Sequence, residues 1–120
     1  GPGVALVVVM RVSISNRYGV KFDIIMLAYY RDGNDSVAWH GDKLKHKVDA
    51  HVATVSTGSP RAFRIRLLSG GPSCDFSLGW GDLLVMGGTC QKTCEHTVPK
   101  LSNAEPRISI IFRHHYQLLL

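Results

Sequence analysis

An all-β fold, two antiparallel sheets packed as a jelly roll, is what this sequence of 120 residues predicts. Three observations carry the expectation. Short runs of β-branched and aromatic residues recur along the chain. They are separated by dense turn signals such as Asp32-Gly33-Asn34-Asp35, Gly58-Ser59-Pro60 and Ser69-Gly70-Gly71-Pro72. No convincing amphipathic helix interrupts them. Two segments carrying metal-type ligands fall at strand ends, as a double-sheet jelly roll would place them.

Residues 4–14 are rich in valine and isoleucine and read as one strand, or two short ones, with Arg11 breaking the apolar run. Asn16-Arg17-Tyr18-Gly19 reads as a turn. Residues 22–30 form a strand with too little alternation for a wet face, and residues 36–40 alternate polar and apolar as a half-buried strand should. Residues 43–49 make a polar loop. Residues 51–57 and 62–68 are strands; in the second, Phe63, Ile65 and Leu67 share one face and Arg64 and Arg66 the other. Residues 74–78 and 82–86 follow. Gly87-Gly88 bends the chain before the segment holding His96, and residues 107–113 form the last strand after Pro106. With no repeat, low-complexity tract or linker, residues 1–120 read as a single domain.

A composition of 45% hydrophobic and 19% charged residues is ordinary for a globular protein. Fourteen Lys+Arg against nine Asp+Glu leave a net charge of +5, which suits a polyanionic partner. The densest basic run is Lys43-Leu44-Lys45-His46-Lys47. Of the three cysteines, Cys74, Cys90 and Cys94, at least one has no disulfide partner, which argues for a reducing compartment and buried free thiols. Cys90, Cys94 and His96 match no usual zinc spacing. The apolar run of residues 4–10 is too short to span a bilayer, and no basic region precedes it. An intracellular protein, cytoplasmic or nuclear, with no membrane partner is the expectation.

The chemistry is concentrated around His40-Gly41-Asp42. On an extended strand, residues two apart point to one face, so an imidazole and a carboxylate converge there. His96 is the best third donor, 96 − 42 = 54 residues later. Two histidines and one carboxylate with open positions form the facial triad of non-haem Fe(II) oxygenases. Arg107 and Arg113 are an even number of residues apart and so share a face of the last strand.

The flanking text is more specific than the pair itself. Tyr-Arg-Asp-Gly-Asn-Asp-Ser-Val-Ala-Trp-His-Gly-Asp (30–42) closely resembles the iron-binding segment of AlkB-like Fe(II)/2-oxoglutarate dioxygenases, the oxidative nucleic-acid demethylases. Residues 81–99, Gly-Asp-Leu-Leu-Val-Met-Gly-Gly-Thr-Cys-Gln-Lys-Thr-Cys-Glu-His-Thr-Val-Pro, resemble the family's second iron segment, and Pro-Arg-Ile-Ser-Ile-Ile-Phe-Arg (106–113) its closing arginine motif. The resemblance covers about residues 22–113. It implies Fe(II) held by His40, Asp42 and His96, with 2-oxoglutarate and O2 completing the reaction. It also implies Arg107 on the distal carboxylate of 2-oxoglutarate, Arg113 near its other end and Tyr30 hydrogen-bonded to it. Lys43 and Lys45, with Lys47 beyond them and Trp39 beside the metal pair, are the candidate substrate contacts.

The resemblance has departures, and one sits at the N-terminal side: the family usually has a helix near residues 16–19, which the local composition contradicts. Ala28 stands where the family commonly has Asn, Ser109 where Asn is frequent and Ile111 where Thr is frequent. Lys43 and Leu44 replace acidic residues after the His-x-Asp pair. Only 39 residues precede His40, leaving little or no nucleotide-recognition lid, so a single-stranded or unpaired nucleic acid is the expected substrate. Two alternatives stay open: a hydroxylase or demethylase of a protein or small molecule, and a degenerate jelly roll that binds without turnover.

Overall fold

The N-terminal run is a helix, where the sequence reading expects a strand. In the computed structural model, which describes residues 2–41, 51–87 and 90–114, helix α1 spans Pro2–Tyr18. Valine-rich composition favours strand only as a weak prior, and tertiary burial overrides it here. Val7, Met10 and Ile14 recur at helical spacing and pack on a cluster built from Phe22, Ala53, Val55, Ile110 and Phe112. The turn signal at residues 16–19 is the end of that helix. Gly19 adopts φ +63°, and the Val20 N–H donates to the Ser15 carbonyl at 3.1 Å, the closing bond of a Schellman cap.

Eight strands follow: β1 (Ile24–Tyr30), β2 (Val37–His40), β3 (Val52–Gly58), β4 (Arg61–Leu67), β5 (Cys74–Leu78), β6 (Asp82–Met86), β7 (Cys94–Val98) and β8 (Arg107–Arg113). A short helix α2 (Cys90–Thr93) precedes β7. They form two four-stranded sheets, ordered β1-β8-β3-β6 and β2-β7-β4-β5, with every pairing antiparallel. That interleaving is the jelly roll the sequence predicts. Consecutive strands mostly alternate between sheets, so residues far apart in sequence meet in the space between them.

The sandwich has two apolar cores. One lies between α1 and the outer face of the first sheet. The other lies between the sheets and is built from Tyr30, Val52, Phe63, Leu78, Met86 and Val98. Two close backbone approaches shape the ends. A Cβ at Gly33 would fall 1.4 Å from the Leu101 carbonyl oxygen, so only glycine lets the β1–β2 turn dock on the β7–β8 loop. Gly58, at φ +77°, turns β3 into β4 directly opposite Arg107.

Three smaller expectations change. His96 lies within a strand, β7, after the turn of α2. The regular alternation expected over residues 36–40 is broken by a bulge: Val37 pairs with Val98 but His40 with His96, three steps on one strand against two on the other. None of the three cysteines forms a disulfide, but they are not the buried thiols expected: Cys74 is exposed, because β5 is an edge strand with little packed against it, and Cys90 and Cys94 are half-buried. No described helix is long and apolar enough to cross a membrane.

Candidate functional site

The bulge in β2 sets the geometry of the site. It turns His40 to the same side as Val37, into a cavity of about 120 Å³ between the sheets. His96, two residues from Val98 on β7, faces the same space. The two imidazole rings meet edge to face with centroids 4.2 Å apart, and Phe63 from β4 stacks on the far side of His96 at 5.2 Å. His40 Nδ1 is 2.8 Å from the Ala38 carbonyl oxygen. A carbonyl can only accept, so Nδ1 is the donor and Nε2 is the nitrogen left to offer a lone pair to a metal. That is the tautomer a metal-ligating imidazole needs.

Asp42, the third proposed donor, lies outside the described residues, as do Lys43, Lys45 and Lys47. Among the described residues no three His, Cys, Asp or Glu side chains converge, so Cys90, Cys94 and His96 do not form a three-ligand set. The two histidines fit a mononuclear metal by position and donor chemistry, and a carboxylate two residues after His40 would complete the set.

The other end of the cavity is built by β1 and β8. Tyr30 pairs with Arg107 across the strands, and both side chains are buried. The Arg107 guanidinium carbon sits 4.6 Å from the Tyr30 ring centroid, and one of its nitrogens donates to Ser56 Oγ at 2.8 Å. Its Nε has no hydrogen-bond partner, and no carboxylate among the described residues is within ion-pair distance. Burial pushes the Arg107 pKa down, with Arg61 adding to the effect and Tyr30 opposing it. Burial also raises the Tyr30 phenol above its usual 10.0, against the pull of Arg107 and Arg61. A buried cation facing a cavity without a counter-ion is costly, and an anionic ligand would remove the cost.

Arg113 lines the same cavity from the other end of β8. Between the arginines, Ala28 and Ser109 are direct cross-strand partners, so two of the departures from the family pattern occupy one spot on the cavity wall, and a third, Ile111, lines the same cavity. Trp39 does not face the cavity. Its ring lies on the outer face of the second sheet, with the Arg66 guanidinium carbon 3.7 Å from its centroid. Two supporting residues escape the sequence reading. Ser56 is one of many strand serines, and only the β3–β8 pairing brings it to Arg107. Phe63 is visible as an apolar strand face, but its stacking on His96 requires the β4–β7 register.

Comparison with known proteins agrees with this geometry. The family model described as "2OG-Fe(II) oxygenase superfamily" matches residues 3–113. Uncharacterized protein R406 of Acanthamoeba polyphaga mimivirus is 35% identical over 106 residues, covering 87% of this chain and 56% of that protein. DNA oxidative demethylase ALKBH2 of Arabidopsis thaliana is 31% identical over 120 residues, covering 79% of this chain and 38% of its own length. The chain therefore spans about half, or less, of the curated relatives it matches. Among solved structures, OsALKBH1 superposes with a TM-score of 0.65 at 22% identity over 78% of this chain and 48% of that one, a likeness of fold. With the model match running through both histidines and both cavity arginines, this chain belongs to the 2-oxoglutarate–Fe(II) oxygenase superfamily, as an AlkB-like member whose cofactor set is Fe(II), 2-oxoglutarate and O2.

Proposed function

We propose that this chain is the oxidising domain of an AlkB-like dioxygenase that removes alkyl groups from nucleic-acid bases, single-stranded or unpaired. The observation that carries the reading is the buried Arg107, with no counter-ion among the described residues, at the far end of a cavity whose mouth holds His40 and His96. Those two poles match a ligand that is anionic at one end and metal-chelating at the other.

In this reading His40, Asp42 and His96 hold Fe(II). With 2-oxoglutarate and O2 bound, such a metal would supply the oxidation that hydroxylates the alkyl C–H bond, with succinate and CO2 as co-products. A hydroxylated N-methyl group then falls off as formaldehyde. The chain's own residues do the positioning. The Arg107 fork receives the distal carboxylate, which a planar guanidinium reads in two hydrogen bonds. Tyr30 keeps its proton because burial raises its pKa, so its hydroxyl can donate to the same ligand. Ala38 fixes the His40 tautomer, and Phe63 braces the His96 ring.

The nucleic-acid part rests on the names of the relatives, DNA oxidative demethylase among them, and on the net charge of +5. Lys43, Lys45 and Lys47 are the proposed phosphate contacts. An unpaired strand is favoured because a base must leave the stack before its edge can reach a buried centre.

The test has two arms. Adding 2-oxoglutarate anaerobically to Fe(II)-loaded protein should give a visible charge-transfer band; no band at millimolar cosubstrate would move the non-catalytic alternative ahead. Aerobic incubation with N-methylated oligonucleotides should then yield succinate and formaldehyde together, with binding that weakens as salt rises. Succinate without oligonucleotide dependence would favour a protein or small-molecule substrate.

A further inference from the structure

Resting on that metal assignment, we propose that Arg66, clamped between Trp39 and Glu95 on the outer face of the second sheet, is a positioning residue for His40. β2 needs such support. It is an edge strand of four residues, bulged, with only Val37 and His40 in register with β7. Among the described residues, the ring contact made by His40 on the inner face is an edge-to-face one with His96.

On the outer face three strands are tied together. Arg66 starts on β4, pairs with Glu95 of β7 at 2.6 Å through its Nε, and reaches past β7 to lie 3.7 Å over the ring of Trp39 on β2. One side chain therefore spans the whole width from β4 to the edge strand. Glu95 and His96 are adjacent on β7, as are Trp39 and His40 on β2, so each anchor is one residue from a proposed ligand on the opposite face. Thr97 adds a bond from its hydroxyl to the Val37 carbonyl. Any slip of β2 that moves His40 must break the stack or drag Arg66 from Glu95. Both Arg66 and Glu95 keep some exposure, 38% and 20% of their side chains, so the clamp contributes more to local geometry than to global stability.

Trp39 thereby acquires a role different from substrate stacking: its ring is the plate against which the edge strand is held. A guanidinium suits this use because it is flat, always charged and able to stack and pair at once.

The experiment titrates cobalt(II) chloride into metal-free protein, wild type and variants, and follows the visible ligand-field absorbance; thermal midpoints of the metal-free proteins are recorded in parallel. Arg66→Met, which keeps the stem and loses the plate and the charge, should weaken Co(II) binding about tenfold and alter the spectrum while the midpoint barely moves. Arg66→Lys should recover only part, since a point charge pairs with Glu95 but cannot lie flat on Trp39; Trp39→Leu should mimic Arg66→Met. If wild type binds Co(II) and both Arg66 variants bind it equally well with the same spectrum, the proposal is wrong and the metal site stands. If wild type binds no Co(II), the metal assignment fails and takes the proposal with it. Should Arg66→Met not fold, the comparison of Arg66→Lys with wild type decides the matter in the same way.

Discussion

Replacing Arg107 by methionine should separate ligand binding from stability. The side chain is 3% exposed, its charge is opposed by burial, and among the described residues it is held by one hydrogen bond, to Ser56 Oγ. Methionine fills a similar length without a charge to desolvate, and replacing buried ionic groups by apolar ones of similar volume is often neutral or stabilising. The free protein should therefore unfold within about 1 kcal/mol of wild type, or above it. Binding of 2-oxoglutarate should collapse. A desolvated, charge-assisted pair is worth about 2–5 kcal/mol when one partner is removed, which at about 1.4 kcal/mol per decade is a loss of about 30-fold or more. The assay is anaerobic titration of the Fe(II)-loaded variant by charge-transfer absorbance, beside urea denaturation of the apo protein. Arg107→Lys should sit between, because an ammonium restores the charge but not the fork. A methionine variant that keeps wild-type affinity would refute the anion-site reasoning. A variant that loses several kcal/mol of stability would show that Arg107 belongs to the fold rather than to a ligand.

Three further outcomes follow from the same geometry. Asp42→Ala should cut Fe(II) or Mn(II) affinity by at least about tenfold, since it removes the one anionic donor of the proposed set; undiminished stoichiometric binding by calorimetry would remove Asp42 from the site. Arg61→Met should cost at least about 3 kcal/mol in urea denaturation, because it deprives the carbonyls of Asp32, Asp35 and Pro99 of a buried charged donor. Tyr30 should make the fold alkaline-sensitive: its folded pKa is raised, so its contribution is complete below pH 10.0 and is lost as pH rises through the folded value. Tyr30→Phe should flatten that alkaline slope above pH 10.0, and an unchanged slope would count against the burial argument.

The strands were legible because their signals are local. Residues 74–78, 82–86 and 107–113 alternate or run apolar between turn residues, and the structure gives those bounds unchanged. The helix was not legible, because its decisive partner is remote. Val7, Met10 and Ile14 become a stripe only once β3 and β8 present Val55, Ile110 and Phe112 to receive it. Local composition cannot contain that fact. The site divides in the same way. The family resemblance assigned Arg107 and Tyr30 to one ligand, and β1 and β8 set them opposite each other, whereas the bulge that turns His40 inward depends on how β2 meets β7. Trp39 shows the limit most plainly: adjacency to the metal pair made it a candidate substrate contact, and the bulged strand puts its ring on the opposite face, against Arg66.

The arginines show why net charge alone says little about a polyanionic partner. Arg61 is spent inside the fold, on three main-chain carbonyls. Arg31, Arg64 and Arg66 each face a carboxylate, on Asp35, Asp75 and Glu95. Arg107 is buried in the cavity and cannot reach a phosphate backbone. Subtracting these five from the fourteen basic residues, together with the three carboxylates they pair with from the nine acidic ones, leaves 14 − 5 = 9 cations against 9 − 3 = 6 anions. An excess of three is too small to steer nucleic acid over the whole surface. It can do so only where it is concentrated, and three lysines at 43, 45 and 47, immediately after the proposed metal pair, are the one place in the sequence where it is. Neutralising those three by glutamine should therefore flatten the salt dependence of oligonucleotide binding while leaving the 2-oxoglutarate charge-transfer band in place. Binding that keeps its full salt slope would mean that phosphates are met elsewhere.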